Sequence, residues 1–135
     1  MDGFQGGCLC GQVRWRAWAA PLNVRVCHCG LCRRATGAPF FARAIFALQA
    51  FERTGETTAW PSSRRIDRHA CARCGTAMFA APKDPPARIG VAIATCDAPD
   101  ALRPDCHIWV DDKLPWLSLA DGLPQYGQGF VARSA

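Results

Sequence analysis

Seven of nine cysteines gathered in short clusters, stretches that alternate polar with apolar residues, and glycine or proline turns between them predict a mainly β protein of small sheets tied together by metal. The clusters are Cys8-Leu9-Cys10, Cys27-His28-Cys29-Gly30-Leu31-Cys32 and Cys71-Ala72-Arg73-Cys74. Thiolates two or three positions apart converge on one tetrahedral ion, and two clusters joined by the fold complete a four-sulfur shell around zinc. Residues 1–135 read as one domain. A chain of this length buries roughly two-thirds of its unfolded surface, and bound metal adds to its stability. Half the residues are apolar and a fifth charged, a globular balance unlike that of disordered chains. No apolar run approaches the length of a membrane span.

Along the chain, Gln12-Val13-Arg14-Trp15-Arg16-Ala17-Trp18 alternates as a half-buried strand does, and Pro21 ends it. Val24-Arg25-Val26 is a second short strand that delivers the cysteine triplet. Residues 30–35 form one helical turn before Gly37 and Pro39 break it. The next strand covers residues 40–46. A polar connection containing Gly55, Pro61, Ser62 and Ser63 leads to a hairpin over residues 68–79, whose tip is the Cys71/Cys74 turn, a zinc knuckle in outline. Pro82, Pro85 and Pro86 make a rigid loop, residues 87–94 another strand and residues 106–110 a shorter one. No internal repeat interrupts this order, and no linker is long enough to separate domains.

Seven ligands divide most simply as four plus three. Cys8 and Cys10 lie beside Gly6, Gly7 and Gly11, and Cys74 precedes Gly75, so both pairs sit on turns whose backbone bends around a metal. They are expected to form a closed, structural zinc site. Cys27, Cys29 and Cys32 supply three ligands and leave a fourth position for water, substrate or a distant side chain, the mark of a catalytic rather than a structural zinc. A disulfide framework is opposed by the odd cysteine count and by the lack of a basic-then-apolar leader in Met1-Asp2-Gly3-Phe4-Gln5-Gly6. The same reasoning gives the expectation of a cytoplasmic location. An iron-sulfur cluster, and a triplet zinc closed by a ligand from elsewhere, remain open alternatives.

Three thiolates leave a zinc unit of net charge −1, a weaker Lewis acid than one held by neutral histidines. Such a centre suits an incoming thiol held as thiolate better than activation of water. His28, between two ligands, is a candidate for hydrogen bonding to the site or moving a proton, or else points away from it. Arg33 and Arg34 are candidates for pairing with substrate carboxylates, against a plain surface role. The net charge of +5 is carried by arginine, since only Lys83 and Lys113 of the 16 basic residues are lysine. Cys96 and Cys106 lack a cysteine neighbour and read as buried small apolar residues.

With these residues in view, the sequence resembles the glutathione-dependent formaldehyde-activating enzyme family, which includes the centromere protein V domain. The resemblance rests on Gly6-Gly7-Cys8-Leu9-Cys10-Gly11, on the stretch from Cys27-His28-Cys29-Gly30-Leu31-Cys32-Arg33-Arg34 to Pro39, on Cys71-Ala72-Arg73-Cys74-Gly75-Thr76, and on His107-Ile108-Trp109 with Lys113-Leu114-Pro115-Trp116. It implies a mainly β fold of coiled sheets, a structural zinc at Cys8, Cys10, Cys71 and Cys74, and a second zinc at Cys27, Cys29 and Cys32. There, in the family, glutathione and formaldehyde combine as S-hydroxymethylglutathione. It also places His107, Trp109 and Trp116 in the pocket. The chain is shorter than members associated with glutathione, so the expectation is a carbon-sulfur lyase-type enzyme joining or parting a small thiol, such as glutathione, and a small aldehyde. Two other classes are weighed: a non-catalytic zinc module that binds protein, and a nucleic-acid binder, suggested by net charge, five tryptophans and the centromeric relatives. The absence of a long basic run tells against the latter.

Overall fold

A computed structural model describes residues 3–130. Ten strands run in order: β1 (Phe4–Gly7), β2 (Arg14–Ala17), β3 (Asn23–Cys27), β4 (Phe41–Ala47), β5 (Phe51–Thr54), β6 (Thr57–Pro61), β7 (Ile66–Cys71), β8 (Ala77–Pro82), β9 (Arg88–Ala92) and β10 (Cys106–Ile108). One α-helix, α1 (Gly30–Thr36), follows β3. The strands form a three-stranded sheet, β1-β2-β5, and a seven-stranded sheet, β10-β3-β4-β9-β8-β7-β6. All pairs are antiparallel except β10 with β3, so the expected mainly β class is observed.

Period-two alternation gives the large sheet two unlike faces. Val24 and Val26, Ala44 and Phe46, Ile89 and Val91, and Phe79 share one face, and all are buried. The small sheet packs onto that face. Phe46 is fully buried, with its ring 5.8 Å from Phe4 and 6.1 Å from Trp15, and Phe51 meets Phe79 edge-on at 5.9 Å. Truncating such a phenylalanine to alanine costs about 3–5 kcal/mol. The opposite face carries Cys27 and Arg25 on β3, Phe41 and Arg43 on β4, Gly90 on β9, Ala80 on β8, and Arg68 on β7. This second face thus brings the first cysteine of the triplet together with three arginines.

The structure adds three strands to those read from the sequence. Gly6 and Gly7 of β1 read as turn residues, yet β1 pairs along its whole length with β2, from Phe4 opposite Ala17 to Gly7 opposite Arg14. Gly6 has room for no side chain, because a Cβ there would lie 2.1 Å from the Thr95 carbonyl oxygen. Strands β5 and β6 lie in the stretch expected to be a polar connection. Pro61 is accommodated because β6 is an edge strand, where a missing N–H leaves no ladder bond unmade. The helix agrees with expectation at both ends: Cys29 caps its start, and Gly37 ends it at φ 68° with its N–H bonded to the Arg33 carbonyl at 2.7 Å.

Candidate metal centres and the adjoining cavity

The turn between β1 and β2 carries Cys8 and Cys10, and the β7–β8 knuckle carries Cys71 and Cys74. Each turn is built to aim sulfur inward. The Val13 N–H donates to Cys8 Sγ at 3.2 Å, and the N–H groups of Arg73 and Cys74 donate to Cys71 Sγ, each at 3.4 Å. The Leu9 N–H donates to Thr76 Oγ1 at 3.2 Å, tying the two turns together across the fold. Cys8 and Cys10 sulfurs lie 3.6 Å apart and those of Cys10 and Cys71 3.8 Å apart. A tetrahedron with zinc-sulfur bonds of about 2.3 Å has edges of about 3.8 Å, so this donor set fits zinc. The Thr76 hydroxyl lies 3.1 Å from Cys74 Sγ and lowers that thiol from 9.0 to about 5, readying a thiolate.

The second cluster sits where β3 ends and α1 begins. Cys27, Cys29 and Cys32 bring sulfurs within 4.8 Å of one another, again in keeping with a shared metal ion. The Cys32 N–H donates to Cys29 Sγ at 3.4 Å, so one sulfur is both helix cap and candidate ligand. Without a metal the three thiols divide unequally: hydrogen bonding among them pushes Cys27 far up and Cys32 far down. The geometry accounts for the direction. Arg43 and Arg68 each donate to Cys32 Sγ at 3.4 Å, favouring negative charge on that sulfur.

The two clusters differ in what surrounds them. Cys27, Cys29 and Cys32 line a cavity of about 500 Å³, with Arg34, Arg43, Arg68, Ile66, Trp109 and Asp112 among its other walls. A cavity of this size accepts a small organic molecule. Trp109 takes a left-handed backbone, φ 56° and ψ 39°, a conformation that costs an aromatic residue about 1–3 kcal/mol. Its N–H bonds to Gln128 and its carbonyl accepts from Asp112, at 2.8 and 3.0 Å, holding that turn on the cavity wall.

A comparison of the sequence with known families matches residues 3–112 to the glutathione-dependent formaldehyde-activating enzymes. The chain belongs to that family. A curated relative from Halomonas elongata, described provisionally as a glutathione-dependent formaldehyde-activating enzyme, is 25% identical over 127 residues, covering 86% of this chain and 80% of the relative. A crystal structure of a Rhodobacter sphaeroides protein, solved in a structural-genomics programme, shares the fold: the TM-score is 0.56 at 23% identity, over 90% of this chain and 98% of that one. The seven clustered cysteines fall into the four-sulfur and three-sulfur groups expected from their spacing.

The remaining expected site residues are distributed more widely. Arg34 and Trp109 line the cysteine cavity. Arg33 turns the other way and donates to the backbone carbonyls of His28 and Asp112 at 2.7 and 2.5 Å, tying helix to loop. Trp116 is 68% exposed and His107 is buried; neither lines the cavity. The physical reason is register: His107 pairs with Val26, so it takes the core-facing side of the sheet, while Ile108 pairs with Cys27. His28 is fully buried, and its Nε2 lies 2.9 Å from His107 Nδ1, whose Nε2 lies 2.7 Å from Asp121. An ionised carboxylate only accepts, so His107 Nε2 donates to Asp121, while the buried His28 Nδ1 has no partner among the described residues. Burial lowers His28 to about 4, keeping it neutral. Cys96 and Cys106 are buried as expected, and burial pushes the Cys106 thiol up.

Arg43, Arg68, Ile66 and Asp121 were not singled out from the sequence. Period two in Val24-Arg25-Val26-Cys27 does place an arginine on the face of the first triplet cysteine. Nothing local marks Arg43 or Arg68, which reach Cys32 from strands 11 and 36 residues away in sequence.

Proposed function

We propose that this protein is a carbon-sulfur lyase-type enzyme that makes or breaks the adduct of a small thiol and a small aldehyde, with glutathione and formaldehyde as the first pair to test. The observation that carries this reading is the contrast between the two cysteine groups. The three-cysteine group opens on a cavity large enough for a substrate, and it belongs to a chain in a family named for this chemistry. Cys8, Cys10, Cys71 and Cys74 would hold a structural zinc; Cys27, Cys29 and Cys32 would hold a second. That second ion, when bound, supplies the acidification that makes a thiol a thiolate near neutral pH.

The chain's own side chains do the rest. Arg43 and Arg68 face Cys32 and offset the negative charge that sulfur ligands and a substrate thiolate bring together. Ile66 and Trp109 give the cavity apolar walls that limit water around a reactive aldehyde. The substrate sulfur, held about 3 Å from the aldehyde carbon, forms the carbon-sulfur bond. The carbonyl π electrons move to oxygen, which takes a proton to give the hydroxyl of the adduct, and the reverse path expels the aldehyde. His28 is positioned within the cysteine loop by His107 and Asp121, a fixed polar neighbour to the site. We assign residues 1–135 to one such domain, acting in the cytoplasm on diffusible substrates; no helix among the described residues is long and apolar enough to cross a membrane.

The test is exchange spectroscopy on glutathione and S-hydroxymethylglutathione with zinc-loaded protein, against a folded Cys29→Ala control. Exchange faster than the spontaneous reaction with the parent, and not with the control, is the expected result. No acceleration with two zincs per chain would exclude glutathione as the thiol.

A further inference from the structure

The sheet face beside Cys27 carries four arginines from four strands: Arg25 on β3, Arg43 on β4, Arg68 on β7 and Arg88 on β9. Among the ion pairs of the described residues, none involves any of the four. Arg25 and Arg43 stand directly opposite each other across the β3–β4 ladder, a like-charge pairing that disfavours the fold. Positive charge is thus concentrated here, with the Asp112 carboxylate on the wall of the cysteine cavity but in ion-pair contact with none of the four.

The arginines are arranged around a second cavity. Arg25, Arg43, Arg88, Ile45 and Ile66 help line a hollow of about 180 Å³ that shares Arg43 and Ile66 with the cysteine cavity. Gly90 makes this possible. A Cβ at that position would lie 2.8 Å from Arg43 Cδ, so the missing side chain is what lets Arg43 lie across β9 between the two hollows. Arg68 closes the other flank. It is 6% exposed, its Nε donates to Ser62 Oγ at 2.9 Å and its Nη2 to Cys32, while its buried Nη1 has no partner. A buried guanidinium N–H without an acceptor is costly, and a ligand oxygen would relieve it.

Resting on the thiol reading of the cysteine site, we propose that Arg25, Arg43 and Arg88, flanked by Arg68, form an anion subsite that selects thiols carrying a carboxylate a short chain from the sulfur. The charges support this: three thiolates around a divalent ion leave −1, whereas four guanidiniums bring +4, so the site accommodates an acidic substrate with charge to spare. Planar guanidinium forks match a carboxylate in geometry as well as sign. The sulfur sits in the larger cavity, the carboxylate reaches past Arg43 into the smaller one, and neutral thiols forgo the second contact.

The test uses cobalt-loaded protein, whose thiolate absorption reports a thiol joining the open metal position. Two probes of matched length are titrated, 3-mercaptopropionate and 3-mercapto-1-propanol. The acid should bind at least tenfold more tightly. That ratio should fall towards one in Arg43→Gln and in Arg88→Gln, the second of which removes a side chain with no hydrogen bond to a cysteine. Equal affinities for the two probes in the parent would overturn the subsite and leave the thiol reading standing. No spectral response to either probe would overturn the thiol reading and the subsite with it.

Discussion

Arg68→Met separates metal binding from folding in one substitution. The Arg68 guanidinium is almost fully buried, donates to Cys32 Sγ at 3.4 Å and leaves Nη1 without a partner. A hydrogen bond to a charged group contributes about 1.5–3 kcal/mol, and each 1.36 kcal/mol is a factor of ten. Removing the donor should therefore weaken the second zinc equivalent roughly ten- to 150-fold at neutral pH. The fold should respond in the opposite sense or not at all. Methionine fills similar space over the Phe41 ring, which the guanidinium now covers at 5.8 Å, and relieves the desolvation of an incompletely satisfied cation. The assay is stepwise zinc competition against a chromophoric chelator, paired with urea unfolding of metal-free protein. Unchanged affinity for the weaker zinc, or an equal loss at both zincs, would refute the assignment of Arg68 to the three-cysteine site.

Cys74→Ser should reduce the zinc content from two to one and destabilise the protein by at least about 4 kcal/mol, because the four-sulfur site joins turns far apart in sequence; metal analysis with thermal unfolding checks this, and retention of both ions at an unchanged Tm would contradict it. Asp97 is held below its ordinary value of 3.8 by the Arg14 guanidinium, which contacts it at 2.5 and 3.0 Å. A depressed carboxylate contributes stability above its unfolded pKa and loses it as pH falls through the folded one. Asp97→Asn should thus lower the urea midpoint equally at pH 6 and pH 8, and a penalty that changes across that interval would contradict the pairing.

What was legible in the sequence was legible because its cause is local. Ligand spacing in Cys71-Ala72-Arg73-Cys74 needs only a turn, and alternation in Gln12-Val13-Arg14-Trp15-Arg16-Ala17-Trp18 needs only one strand with one buried side. Strands β1, β5 and β6 escaped notice for the complementary reason. Residues such as Gly6, Gly7 and Pro61 oppose strand structure by themselves, and the pairing that overrides them comes from β2 and β7. His107 illustrates a finer point: strand alternation alone would put it and Trp109, two residues on, on one face, but β10 ends at Ile108 and the left-handed backbone of Trp109 breaks the alternation, so only Trp109 reaches the cavity wall.

The sequence by itself determined the mainly β class, the seven sulfur donors and their division into four and three, since chelation depends on donor type and short-range spacing. Only the tertiary structure decided what each group of sulfurs faces. The register of β3, β4, β9, β8 and β7 sets Arg25, Arg43, Arg68 and Arg88 on the same face as Cys27, and Gly90 leaves Arg43 room to lie between two hollows. Charge acts through space, so an arginine 36 residues from Cys32 along the chain lies within hydrogen-bonding reach of its sulfur once strand order and register bring them together.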